Sequence, residues 1–313
     1  MKVPPKFTPQ KPHRMAIIAT SSAIALSMGS FLIEFLPHSF FLDKYKNLIH
    51  LERLGIPVQL DTKIVNLFDK VMEDLKVSEH LKKKFEAFAI TGFNLHHAGF
   101  PDSRFGAIVG IPNHFTYQEK SDVDYVDIRL GYDRKPLNLY HPATENLINS
   151  LVLSEKAKKF GIAREVLMSQ KQLPLYKSLE SPAVITLSVL GAELLRTKMK
   201  LHNKPWTFTI LTYLATSTVA YAVWFQIRDS LKTYYEKSVD EQLAKLGKEY
   251  IEGGKEFYDK LISRNIALRA LLGPQGAKTF NRDGDEQFLI RVKTVPLSQR
   301  KKFFYEFKEE NES

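Results

Sequence analysis

The stretch PWTFTILTYLATSTVAYAVWFQI (205–227) runs for 23 residues without a charge. At about 1.5 Å per residue it matches the roughly 30 Å apolar core of a bilayer. Trp206 and Trp224 stand near its ends, where aromatic belts form. Just before it, residues 196–204 carry Arg196, Lys198, Lys200 and Lys204 and no acid. The arrangement recurs at the start of the chain, where Lys2, Lys6, Lys11 and Arg14 precede MAIIATSSAIALSMGSFLI (15–33). That run also resembles a signal peptide, but its apolar core is long and no small-x-small cleavage site follows. It reads as an uncleaved anchor over 15–36. The two basic clusters hold most of the formal net charge of +10 in this 313-residue chain. Basicity beside apolar runs is a topology signal, so lipid rather than nucleic acid is the expected surface.

A third segment, SPAVITLSVLGA (181–192), is shorter, a length that also suits a buried core helix or a re-entrant segment. Two features favour spanning. Only residues 196–204 separate it from the next span, which suits a helical hairpin over 181–227. Glu193 is also one turn from Arg196, close enough to pair or to snorkel. With three spans, one arrangement satisfies the positive-inside rule. The tail 1–14 and the tip 196–204 lie on one side, and the polar blocks 37–180 and 228–313 share the other. There is no cysteine, which excludes disulfide scaffolds, zinc fingers, iron–sulfur clusters and thiol catalysis.

Within the polar blocks, DTKIVNLFDKVMEDLKV (61–77) spaces Ile64, Val65, Phe68, Val71, Met72 and Leu75 as a helix with Asp61 as N-cap. Lys82–Lys84 reads as a solvated helix end, with an anionic headgroup contact as the other possibility. Residues 85–117, with GAIVGIP (106–112), Phe115 and Tyr117, read as strands punctuated by Gly and Pro. His96, His97 and His114 fall in this region. No carboxylate or cysteine stands at ligand spacing, so they read as surface or cleft histidines, with metal ligation by the pair as the other possibility. Asp122, Asp124 and Asp127 alternate with apolar residues as the solvent face of a strand would. Ser154 is a fitting N-cap for a helix over 154–170 with Ala157, Phe160, Ala163, Val166 and Leu167 as its apolar stripe. Residues 228–272 are helical, with an interruption at Gly253-Gly254, and Asp283-Gly284 forms a hairpin-like tip. The chain lacks GxxxxGKS, GxGxxG, GxSxG and HExxH, so phosphate, dinucleotide and serine-hydrolase chemistry have no support.

The blocks GAIVGIP (106–112), LSEKAKKFGIAREV (153–166) and GGKEFYDKLISRNIALRALLG (253–273), in that order, resemble those of the transmembrane protein 177 family. The anchor and hairpin fall where that family has them. The resemblance implies a factor of the mitochondrial inner membrane. It would support early maturation of cytochrome c oxidase subunit 2 by stabilising that subunit's assembly chaperone, and these two proteins are the implied partners. No cofactor is implied.

A more distant resemblance is to HtpX-like and prenyl-protease-like membrane metallopeptidases. These place H-E-x-x-H on a helix, then a membrane hairpin, then a third ligand Glu in E-x-x-x-D. Here GIAREVLM (161–168) precedes the hairpin and Glu236-Lys-Ser-Val-Asp240 follows it. Arg164 stands for the first His, Glu165 is retained, and Met168 stands for the second His. A guanidinium cannot ligate zinc and a thioether is a poor ligand for it, so no catalytic residue, metal or cofactor is expected. Loss of the metal would leave Glu236 unpaired, and Arg164 is expected to pair with Glu236 or Asp240. The plainer alternative is that Arg164 pairs with a helical neighbour or points into water. The expected fold is a mostly helical α+β membrane protein, with a degenerate zincin-like aqueous domain and a small sheet, split by a transmembrane hairpin. The expected function is non-catalytic assembly in the inner membrane, with the bulk of the chain in the intermembrane space. The alternative is an active membrane-embedded metallopeptidase-like hydrolase.

Overall fold

The structure, a computed structural model, describes residues 12–126, 128–131, 133–288 and 291–307. Most of the basic tail 1–14, together with Asp127, Leu289 and Ile290, lies outside the described residues. In chain order the helices are α1 (Pro12–Phe35), α2 (Leu42–Ile49), α3 (Thr62–Asp74), α4 (Glu79–Lys82), α5 (Ala143–Leu151) and α6 (Glu155–Gln170). They continue with α7 (Leu173–Lys198), α8 (Trp206–Ala244), α9 (Lys248–Leu271), α10 (Pro274–Thr279) and α11 (Leu297–Glu306). The strands are β1 (Glu52–Arg53), β2 (Ile56–Pro57), β3 (Phe85–Ile90), β4 (His96–Phe100), β5 (Gly106–Pro112), β6 (Arg129–Leu130) and β7 (Lys135–Pro136). The chain divides into two compact units, Met1–Pro37 with Pro174–Arg228, and His38–Leu173 with Asp229–Ser313.

The first unit is helical. Three segments, Ile17–His38, Leu173–Lys198 and Trp206–Ala244, are long and apolar enough to cross a membrane. Large apolar side chains such as Ile18, Ile33, Leu190, Leu211 and Val219 are exposed along all three. Such a surface is unfavourable in water and is solvated by lipid tails. The third helix runs for 39 residues, about 58 Å, nearly twice a bilayer's apolar core. Its apolar part ends at Ile227, and polar sequence continues beyond. Several polar side chains within these helices find partners on their own or a neighbouring helix. The hydroxyls of Thr212, Thr216 and Thr218 donate to carbonyls one turn back, at 2.8 to 3.0 Å. Ser188 and Ser217 join α7 to α8 at 2.9 Å. Glu193 accepts from Arg196 at 2.6 Å, as its spacing predicts, and also from the Tyr213 hydroxyl. Arg228 reaches Glu34 on α1 at 2.7 Å.

In the second unit β5 is the middle strand of a three-stranded sheet in the order β3-β5-β4. It runs parallel to β3, with Phe85 opposite Ala107, and antiparallel to β4, with His97 opposite Val109. Its residues are buried on both faces, which explains why GAIVGIP is a continuous apolar run rather than an alternating one. Ala107, Val109 and Ile111 join the main core with α3, α6 and α9, while Ile108 packs with Phe88, Ile90, Ala98 and Leu42. Helix α6 is the centre of this unit. Ser154 caps it by accepting from the Ala157 N–H, as Asp61 caps α3 through the Lys63 N–H. The apolar stripe is buried, but so are Lys158, Lys159, Glu165 and Ser169 on other faces. Lys159 is held by Asp74 at 2.6 Å and Glu249 at 2.8 Å, so the burial of its charge is compensated.

Three local expectations are corrected. Phe115 lies in a 3-10 turn, Asn113–Thr116, not a strand, because Pro112 ends β5. Residues 120–126 are likewise not a strand. Asp122 accepts from the N–H groups of Gln118 and Glu119, closing a short 3-10 turn, and Val126 is exposed. The break in the 228–272 helix falls at Gly247, whose φ of +110° suits glycine, and not at Gly253-Gly254. Those two glycines sit inside α9 at a close crossing. A Cβ on Gly254 would meet Phe304 at 2.8 Å and Phe160 at 2.9 Å.

Candidate functional site

Helix α6 packs against the sheet beside β4, which brings Glu165 to His97 on the edge strand. His97 Nδ1 donates to Glu165 Oε2 at 2.6 Å, and Arg164 Nη1 donates to Glu165 Oε1 at 2.7 Å. Both carboxylate oxygens are therefore engaged. Burial by itself would raise the Glu165 carboxyl. The charge of Arg164 and the His97 hydrogen bond outweigh it and hold the group down at about 2.

Helix α8 supplies the other two carboxylates one turn apart. Glu236 Oε2 accepts from the Val295 N–H at 2.8 Å, and Lys232 stands 3.9 Å from Oε1. Asp240 receives Arg300 and the Tyr258 hydroxyl, the latter at 2.8 Å. Burial raises the Tyr258 phenol well above its ordinary range, so it remains a donor. Burial works against the charge on Arg300, and Asp240 more than restores it, raising the guanidinium.

Arg164, Glu165, Met168 and Glu236 line one cavity of about 290 Å³, together with His97 and Arg300. The sequence motif thus marks residues that the tertiary structure does bring together, although Asp240 lies behind Arg300 and off the cavity wall. The expected pairing of Arg164 with Glu236 or Asp240 is not formed. Arg164 turns to its helical neighbour Glu165, and the cation at Asp240 is Arg300 from α11. Nor is Glu236 left unpaired, because the backbone of the 295 segment donates to it. Sequence reasoning missed the roles of His97 and Arg300. His97 carries no ligand spacing to any carboxylate in sequence, and Arg300 sits in a plain basic run, SQRKK (298–302). His96 turns elsewhere, with Nε2 2.6 Å from the Tyr45 hydroxyl. Among the described residues no three His, Asp or Glu side chains are grouped to hold a metal ion.

A family model described as Transmembrane protein 177 matches residues 69–312. The chain is 32% identical over 251 residues to Transmembrane protein 177 of Homo sapiens, covering 79% of this chain and 78% of that one. It is 30% identical over 250 residues to that of Rattus norvegicus, with coverage of 79% and 78%. Against that of Danio rerio it is 28% identical over 258 residues, with 82% of each covered. No solved structure matches.

Proposed function

The chain belongs to the transmembrane protein 177 family, and on that premise we propose that it is a non-catalytic assembly factor of the mitochondrial inner membrane. It supports early biogenesis of cytochrome c oxidase subunit 2 by stabilising that subunit's chaperone. The three candidate spans support the membrane placement. The observation that carries the non-catalytic half is the condition of Glu165. A general base works best with a pKa near the working pH. A carboxyl held at about 2, with both oxygens bonded to Arg164 and His97, is a weak base and is tied in place. The polar cluster behind the cavity is a structural tie in which Arg300 takes the position next to Asp240.

Cells lacking the protein are expected to show a joint fall in newly made subunit 2 and its chaperone. A Glu165→Gln variant is expected to restore both. A folded, abundant Glu165→Gln chain that restored neither would favour a hydrolase instead.

A further inference from the structure

Arg264, on α9, is 6% exposed. Its Nη1 donates to the Phe93 carbonyl at 2.8 Å, and its Nε and Nη2 lie 3.4 and 3.3 Å from Asn265 Oδ1. Among the described residues it forms no ion pair, and exposed Glu286 acts on it only from longer range. Burial lowers the guanidinium to about 10, which still leaves it charged at neutral pH. A buried cation without a counter-ion is costly. By contrast Arg164, Lys159 and Arg300 each have a carboxylate at contact.

Arg264 lines the same cavity as Glu165, and other donors line it with it. His114 is 7% exposed, and among the described residues its Nδ1 has no hydrogen-bond partner. Burial, reinforced by the charges of Arg264 and Lys158, pushes the imidazole down to about 3, so it is neutral and can present an N–H. Arg164 Nε is likewise without a partner among the described residues. Lys260 spends one N–H on the Asn149 carbonyl at 2.7 Å and, among the described residues, has no carboxylate at contact. Arg164 is offset by Glu165, Lys232 by Glu236 and Arg300 by Asp240. Among the described residues of the wall, Arg264 and Lys260 then face only Glu286.

We propose that this cavity binds a single carboxylate, brought either by the free C-terminal end of a peptide or by a small carboxylic acid, with Arg264 as its main partner. The contacts to Phe93 and Asn265 leave one N–H on each Nη of Arg264, a fork that suits a carboxylate bidentately. The net positive charge on the wall is small and Glu165 and Glu236 stand nearby, which favours a monoanion over a phosphate dianion. A volume of about 290 Å³ lies at the small end of ligand cavities and fits an acid or a chain end rather than a lipid. The assignment concerns the cavity alone, independent of the partner that the membrane part serves.

The test is calorimetry on the full chain in detergent micelles. The probes are tetra-alanine with a free C-terminus, the same peptide amidated, butyrate as a small monocarboxylate, and inorganic phosphate. Binding of the free-acid peptide without the amide or butyrate identifies a chain end; binding of butyrate without the peptide identifies a small acid. Arg264→Gln is expected to weaken the bound probe at least about tenfold, as loss of a charged hydrogen bond does. Glu286→Gln, at an exposed position, is expected to strengthen it. If Arg264→Gln fails to fold, Lys260→Gln must weaken binding in its place. The proposal is overturned if neither carboxylate probe binds, if the amide binds as well as the acid, if phosphate binds more tightly than either carboxylate, or if folded Arg264→Gln binds as the parent does.

Discussion

Arg300 grips Asp240 through two hydrogen bonds, Nε to Oδ2 at 2.6 Å and Nη2 to Oδ1 at 2.7 Å, with both side chains almost fully buried. The pair ties α11 to the polar part of α8, and the Tyr258 hydroxyl on α9 completes it. Removing one partner leaves an uncompensated charge in the core. Arg300→Ala is expected to cost about 3–5 kcal/mol. Replacing both partners with apolar residues, as in Arg300→Met with Asp240→Leu, is expected to cost less than the single change. Chemical denaturation of the purified chain would check both. An Arg300→Ala protein as stable as the parent would mean that the pair is not a structural tie. By the same reasoning Arg164→Ala releases Glu165 and not Asp240, so its effect should vanish in a Glu165→Gln background.

Acid should destabilise the protein in two windows. His114 has its pKa lowered from 6.5 to about 3 by burial, and then by Arg264 and Lys158. The unfolded chain binds that proton first, so stability falls as the pH drops from 6.5 towards 3. Glu165 is lowered from 4.5 to about 2. Its contribution is complete above 4.5 and is lost as the pH falls towards 2. His114→Asn is expected to flatten the stability profile between pH 6.5 and 4.5, where Glu165 does not titrate. An unchanged slope in thermal melts across that range would contradict the assignment.

The crossing of α6 and α9 has no room for a side chain at Gly253 or Gly254. A Cβ at Gly253 would run into the carbonyl of Lys156, and one at Gly254 into the rings of Phe160 and Phe304. Gly254→Val is expected to cost about 1–3 kcal/mol through overpacking, despite the better helix propensity of the new residue. Gly191→Ala, with open space around it, serves as the tolerated comparison. Equal melting temperatures for the two variants would show that the close crossing carries no constraint.

The hydroxyls of Ser188 and Ser217 meet at 2.9 Å between α7 and α8. Because the chain contains no cysteine, a Ser188→Cys, Ser217→Cys double variant has one possible intramolecular disulfide. Oxidation should produce it in membranes, with a mobility shift reversed by reductant. Failure to cross-link would place the two helices apart.

Topology gives a further check. The proposed topology puts residues 196–204 on the matrix side and 228–313 in the intermembrane space, so protease added to mitoplasts should remove a C-terminal tag. A protected tag would mean that the segment through Ser181–Leu195 does not cross.

Much of this organisation is set locally and could be read from the chain alone. An uncharged run of bilayer length needs no tertiary partner to be recognised, because the lipid is its solvent. The caps at Asp61 and Ser154 likewise act within one turn of their own residues. The central strand was legible from GAIVGIP because burial on both faces leaves a continuous apolar run. The candidate cavity was legible only in part. Helical spacing places Arg164 beside Met168 and Glu236 beside Asp240, but it cannot say which cation reaches which carboxylate. That depends on how far apart α6, α8 and α11 end up, and Arg300 is 60 residues from Asp240. His97 reaches Glu165 across 68 residues, through a strand register that no local pattern encodes. The charged pairs of the interior were decided by folding, because a Coulomb interaction depends on distance in space and is indifferent to distance along the chain.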